Sequence, residues 1–306
     1  MLEKLESFLD QCSFIWQAHI ANPIWLPRKE RRQRRFNVKY RHTSKGLKKY
    51  KSFIEKLKIE KDLNSDESEN NYVFSIWYQS EKDAPPLVKA CFKRLRKFYG
   101  DKVKIIDKDS LKDWISLPDY ILTQWEKGVI TNAHFSDICR VELLYQYGGL
   151  WFDATDYLTS PVPQWVMEQD LFMFTAGEEI TPSTLIQSCF IRAKKHNPIL
   201  GAWRKIIFEY WKNENKLLDY FLLHYMLRYL VETNPEAADL FSQMPKVIQN
   251  PTHILWYKYR DDNYSADLWN EATKDTFFQK TNFKMQSAIN PKRNSMADFL
   301  INGNLE

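Results

Sequence analysis

The chain has 306 residues, 44% of them apolar and 15% aromatic, which is enough to bury one large core and excludes a disordered chain. Its four cysteines, Cys12, Cys91, Cys139 and Cys189, are scattered, with no CxxC pair and no Cys/His cluster at metal-ligand spacing, so neither a zinc module nor a disulfide framework is indicated and buried reduced thiols are expected. The net charge of +5 hides an asymmetry: residues 28–51, from Arg28 to Lys51, hold twelve Lys or Arg against the single acid Glu30, making that segment +11 and the remainder −6.

Taken in chain order, residues 1–10 alternate charged and apolar side chains and offer no secretion signal, which predicts a cytoplasmic protein. Residues 12–26 are apolar but interrupted by Gln17, His19, Asn22 and Pro23, and nothing approaches the ~20 apolar residues of a membrane span. Any membrane contact is therefore expected to be peripheral. Helical patterns cover residues 2–21 and 44–63, separated by Pro23, Pro27 and the basic run. That run attracts anionic surfaces, at roughly 1 kcal/mol per charge near an anionic bilayer, with Phe14, Ile15, Trp16, Ile24 and Trp25 available to sit at the interface. A run of this kind reads equally as a solvated helical face or as a docking surface for the inner face of the cytoplasmic membrane; nucleic acid, which the same charge would serve, is the less favoured partner. A polar stretch at residues 62–71 marks the boundary between a basic helical N-terminal appendage, 1–69, and the main domain, 70–306.

Residues 72–78 read as a buried strand, closed by a polar loop and Pro85-Pro86, with a helix over 87–98 and a second strand over 103–107. This alternation predicts an α/β fold with a mostly parallel sheet flanked by helices, whose ligands bind beyond the carboxyl ends of the strands. Residues 171–175 and 185–191 extend the sheet. Residues 198–240, including 217–230, form a helical subdomain capping one side of the cleft.

The segment with most chemical content is residues 133–156. It reads as helix, glycine stop at Gly148-Gly149, short strand Leu150-Trp151-Phe152, and an acidic turn carrying Asp153 and Asp156. Ile138, Val141 and Tyr145 recur at helical spacing and are expected to face the sheet. Asp137 and Arg140, three apart near the start of the helix, share a face and can reach one small polar ligand such as a sugar.

The run Ser136-Asp137, Arg140, Gly148-Gly149, Asp153 resembles the donor-site signature of the capsular polysaccharide synthesis family, akin to glycosyltransferase family 32 and the glucosylating clostridial toxins. Weaker echoes are Ile76-Trp77 with Pro85-Pro86, the stretch from Ser188-Cys189-Phe190 to Asn197-Pro198, and residues 219–224. The resemblance implies a GT-A-like glycosyltransferase acting in capsular or exopolysaccharide assembly. It would move a sugar from a nucleotide-sugar, in particular a uridine diphosphate sugar, to a saccharide or lipid-linked oligosaccharide acceptor with retention of configuration. It also implies that Asp137 and Arg140 hold the donor sugar, that Asp153 opens the motif for ribose and a divalent cation, Mn²⁺ or Mg²⁺, and that Lys284 touches the diphosphate. Such a cation would neutralise charge on the leaving phosphate, and carboxylates suit it.

The chain departs from the family's Asp-x-Asp at its third place, where Thr155 stands and Asp156 follows. Thr155 supports the ion through water, Asp156 replaces the missing carboxylate, or the ion is weakly held. A strand-like continuation would point Asp156 away from Asp153, and only a turn brings them together. His134, His224 and His253 are commonly structural, Glu178-Glu179 reads as a solvated loop, and no general base stands out. The alternative reading is a non-catalytic, degenerate transferase fold docked through its basic N-terminal region. A glycoside hydrolase ranks below it, since the sequence marks one carboxylate cluster and not a flanking pair.

Overall fold

The computed structural model describes residues 13, 14, 16, 26–59, 71–177 and 180–303. The helical pattern over 2–21, Ile15, Ile24, Trp25, most of the polar stretch 62–71 and Glu178-Glu179 lie outside them, apart from isolated positions.

Five strands form the central sheet: β1 (Val73–Ile76), β2 (Val103–Ile106), β3 (Gly149–Phe152), β5 (Leu171–Phe172) and β6 (Phe190–Ala193), in the order β2-β1-β3-β6-β5. β1 runs parallel to β2 and β3, whereas β6 is antiparallel to both β3 and β5, so four of the five strands share one direction. The fold is thus α/β with a mostly parallel sheet, as the alternation of elements implies. The strand expected at 185–191 is shorter and later. A second, two-stranded sheet pairs β4 (Asp156–Leu158) with β7 (Phe278–Lys280) in antiparallel register.

Side-chain alternation splits the core between the two faces of the sheet. Phe74, Ile76, Trp151 and Ile191 face one layer of helices, and Val73, Leu150, Phe152 and Phe190 face the other. The second face is covered by α1 (Pro86–Tyr99), which buries Val88, Phe92 and Leu95. The first is covered by α2 (Asn132–Tyr147), which is buried on nearly every side because α3 (Pro198–Asn213) and α4 (Leu222–Thr233) pack behind it. The expected sheet-facing row of α2 is therefore only part of what it buries.

Residues 198–240 are three helices, α3, α4 and α5 (Pro235–Ser242). Asn197 and Asn234 cap two of them, each side chain accepting from backbone N–H groups of the first turn. Asn234 also donates to the carbonyls of Ile54 and Leu57 at 2.9 Å, tying the N-terminal segment to this layer.

The basic run is itself helical. The helix Arg28–Leu47 presents Phe36, Tyr40, Thr43 and Leu47 on one buried stripe, and Phe36 and Tyr40 pack on Phe221 and Tyr225 with ring centroids 5.1 and 5.4 Å apart. Pro27 precedes its first turn instead of opening a linker, and the helix expected over 44–63 is replaced by its end and a short helix Lys51–Glu55. Leu47 and Ile54 are fully buried in the same cluster as Phe74 and Trp151, so this segment shares the main core.

Gly149 starts β3 with φ +95°, and a Cβ there would lie 2.3 Å from the carbonyl oxygen of Tyr72, the acceptor of the Leu150 N–H at 2.8 Å. Gly149→Ala is expected to cost about 3 kcal/mol from strain and overpacking together, lowering Tm by roughly 6–12 °C. A melting curve unchanged by the substitution would show that β3 does not need this close approach.

Candidate functional site

The site lies beyond the carboxyl ends of β1 and β3. Trp151 and Asp153 have the same parity on β3, so both project toward α2, where Asp137 and Arg140 stand three residues apart. Arg140 Nη2 lies 3.1 Å from Asp137 Oδ1 and 3.1 Å from Asp153 Oδ1, and its guanidinium sits 4.9 Å above the Trp151 ring. Arg140 Nη1 donates to the Ser188 carbonyl at 2.7 Å and to the Ser188 hydroxyl oxygen at 2.6 Å. Trp151 Nε1 donates to Asp153 Oδ1 at 2.9 Å. Arg140 thus clamps two carboxylates that come from a helix and a strand.

The chain turns at residues 153–156, where the Asp156 N–H donates to the Asp153 carbonyl at 2.9 Å and the Asp153 N–H donates to Asp156 Oδ2 at 3.1 Å. This is the turn needed to bring the two carboxylates together. Asp156 then opens β4, directly opposite Lys280 of β7. The Lys280 ammonium lies 2.6 Å from Asp153 Oδ2 and 3.2 Å from Asp156 Oδ1. Thr155 points its backbone carbonyl at Thr281, accepting from both the N–H and the hydroxyl at 2.8 Å.

Burial by itself would raise the Asp153 carboxyl, but Arg140 and Lys280 outweigh it and hold the group below the usual carboxylate value. Burial pushes Asp156, which is fully inaccessible, up to about 7 against the pull of Lys280. Lys280 itself is held well above its ordinary value because the two carboxylates outweigh its burial. Asp153 and Lys280 are the open members of the cluster, with side chains 25% and 19% exposed.

These donors do not fit Mn²⁺ or Mg²⁺ as they stand. Asp153 already carries a guanidinium and an ammonium, Asp156 is buried against the same ammonium, and Thr155 is engaged through its backbone. A hard divalent ion takes several oxygens free of other cations. Among the described residues no group of three or more His, Cys, Asp or Glu is arranged to hold a metal ion. Asp153 and Asp156 thus meet at the Lys280 ammonium, with Thr155 between them in the turn.

The other expected residues gather nearby to different degrees. Ile76 ends β1, and the half-buried Trp77 follows it, its ring 5.2 Å from Phe283 and its indole N–H without a partner. Ser136 is half-buried on α2 between His134 and Asp137. Lys284 is exposed, its ammonium 5.7 Å from the Phe283 ring, four residues beyond the lysine that enters the cluster. His134 is a buried acceptor of the Trp211 indole N–H at 3.1 Å and sits 3.5 Å from Asp137. His253 pairs with the Thr252 hydroxyl at 2.8 Å.

A model of the capsular polysaccharide synthesis protein family matches residues 23–300, nearly the whole chain. The chain belongs to that family. Among curated proteins it is 25% identical over 179 residues to an O-glycosyltransferase, braB, of Annulohypoxylon truncatum, across 52% of this chain and 41% of that protein. The chain thus spans less than half the length of this relative. A solved structure, the PaToxG glycosyltransferase, aligns over 85% of this chain and 97% of its own with 16% identity and a TM-score of 0.38, a likeness too distant to carry an argument.

In this capsular polysaccharide synthesis family member, Lys280, Ser188 and Trp151 are the site residues that reasoning from the motif did not assign. His224 joins them: burial pushes its imidazole down to about 4 in the field of Asp137 and Arg140, and its Nδ1 has no partner. Tyr220 is 64% exposed in the segment just before α4, its ring 5.1 Å from that of Phe221. A separate cavity of about 450 Å³, lined by Asp170, Lys194, His196 and Asn197, lies at the opposite end of the sheet.

Proposed function

We propose that the protein is a GT-A-like glycosyltransferase that moves a sugar from a nucleotide-sugar, in particular a uridine diphosphate sugar, to a saccharide acceptor in capsular or exopolysaccharide assembly. The observation that carries the reading is the Arg140 clamp joining Asp137 and Asp153 at the carboxyl ends of the strands. Asp137 and Asp153 present oxygens to the hydroxyls of the donor sugar and ribose, and Arg140, 5% exposed, acts through them as a positioning residue. The unpartnered Trp77 indole beside Phe283 suits a nucleobase. Lys284, exposed past β7 beside Phe283, is the further cation assigned to the diphosphate in this reading.

In the transfer the bond from the anomeric carbon to the phosphate oxygen breaks, the nucleoside diphosphate leaves with the electron pair, and the acceptor oxygen bonds to that carbon. The acceptor proton passes to the departing phosphate on the same face, the route expected for retention. It suits a site in which His134 Nε2 is taken by the Trp211 indole and Asp137 and Asp153 both face Arg140. Incubating the chain with a panel of nucleotide-sugars and measuring released nucleoside diphosphate tests the reading. Release from one donor class, accelerated by an oligosaccharide, is expected. No release from any donor would leave a non-catalytic fold.

The basic helix supports peripheral docking on an anionic membrane. Arg34, Arg41, Lys45 and Lys48 are exposed and fall within about 60° of one helical face. Lys39 and Lys49, on the same segment, are paired with Asp219 and Glu214. Among the described residues no helix is long and apolar enough to cross a membrane. Changing the four exposed residues to serine is expected to weaken sedimentation with phosphatidylserine vesicles a hundredfold or more, at roughly 1 kcal/mol per charge, with activity on soluble acceptor retained. Equal binding by both proteins would reject the docking. Substitution is the right comparison because removing the segment would also strip Leu47 and Ile54 from the core.

A further inference from the structure

We propose that Lys280 is the resident cation of the donor site and that the protein binds and cleaves its donor without a divalent metal. The inference rests on the transferase reading above. Its ground is the placement of one ammonium between two carboxylates, 2.6 Å from Asp153 and 3.2 Å from Asp156, at the position where the sequence motif leads one to expect an ion.

Three features of the site make the lysine a fixture. Its backbone is held in β7, in register with Asp156, so the side chain is delivered to the turn by strand pairing and not by a mobile loop. Asp156 is fully buried, with Oδ2 occupied by the Asp153 N–H, so its remaining oxygen faces Lys280. A divalent ion seated between Asp153 and Asp156 would have to expel the ammonium from both partners. Asp153 is also held on its other oxygen by Arg140 and Trp151, leaving it no oxygen without a donor.

The same geometry equips Lys280 for a diphosphate. An ammonium carries three N–H donors; one is spent on Asp153 Oδ2, Asp156 Oδ1 stands 3.2 Å away as an ion pair without a hydrogen bond, and with the side chain 19% exposed toward the cleft a donor remains for a phosphate oxygen. Arg140 and Lys280 set two cations among Asp137, Asp153 and Asp156, so an arriving diphosphate meets fixed positive charge at this end of the cleft. When the sugar–phosphate bond breaks, the charge that develops on the departing phosphate lies against a lysine already in place, which needs no rearrangement during the reaction. The Thr155 departure from Asp-x-Asp then has a reason: with a lysine as the cation, a second motif carboxylate at that place is not required.

The test uses the full chain, with uridine diphosphate and Mn²⁺ as separate probes. Titration calorimetry with uridine diphosphate in EDTA and in excess Mn²⁺ is expected to give affinities within about threefold of each other. Lys280→Met should lose about tenfold or more in EDTA, about 1.4 kcal/mol. Electron paramagnetic resonance with Mn²⁺ and no nucleotide should detect no bound ion on the wild type and one on Lys280→Met, whose carboxylates are released. Circular dichroism checks folding, and Lys280→Gln takes the same readings should Lys280→Met unfold. Nucleotide binding by the wild type only with Mn²⁺, or undiminished binding by Lys280→Met in EDTA, overturns the proposal while leaving the transferase reading standing. If uridine diphosphate binds under neither condition, the donor reading fails instead and the Mn²⁺ arm decides alone. One ion taken up by the wild type and lost in Asp153→Asn, or none taken up by Lys280→Met, then overturns it.

Discussion

Replacing Arg140 by alanine is expected to abolish donor turnover and to lower stability by about 3–5 kcal/mol, because it leaves the buried Asp137 without its guanidinium and removes the link from Asp137 to Asp153. The fork also holds the Ser188 carbonyl and hydroxyl, so its loss unties β3, α2 and the approach to β6 together. At roughly 2–4 °C per kcal/mol for a chain of this size, Tm should fall by about 10 °C or more. Arg140→Lys keeps a charge but cannot make four directed contacts, and it should recover part of the stability with little of the turnover. Lys284→Ala, on the exposed loop beyond β7, should stay within ~0.5 kcal/mol of the wild type. Thermal melts and donor hydrolysis on the three variants check the order. Equal, mild effects at Arg140 and Lys284 would reduce the Asp137–Arg140 pair to an ordinary ion pair with no part in the site.

Asp153→Asn should reduce donor hydrolysis by about a thousandfold or more with a much smaller effect on folding. The amide is nearly isosteric and still accepts from the Trp151 indole, while Arg140 keeps Asp137 and Ser188, and Lys280 keeps Asp156. The expected stability cost is therefore about 1–3 kcal/mol, less than for Arg140→Ala, where the partner lost is shared. Function suffers more because Asp153 is the member of the cluster most open to the cleft and the one that joins both cations. Hydrolysis measured well below the variant's Tm separates the two effects, and turnover near the wild-type rate would remove Asp153 from the site.

The parts of this site that were legible before the structure are those whose geometry is local. Ser136, Asp137 and Arg140 lie within one turn of helix, Gly148-Gly149 ends that helix, and Leu150-Trp151-Phe152 carries Asp153 to the end of a strand, all within eighteen residues. Helical and strand periodicities alone place these side chains near one another. The basic N-terminal run was harder to read, because its charges obscure the stripe of Phe36, Tyr40, Thr43 and Leu47 that seats it on α4.

By itself the sequence determined an α/β chain with its carboxylates at the strand ends, since strand–helix alternation and a contiguous motif follow from short-range sterics and patterning. The tertiary structure alone decided what those carboxylates face. Lys280 reaches Asp156 across 124 residues through the register of β4 with β7, and Ser188 meets Arg140 because β6 lies antiparallel beside β3. Register of this kind is set by how whole elements pack, so no local pattern around Lys280 distinguishes it from the exposed Lys284 four residues later.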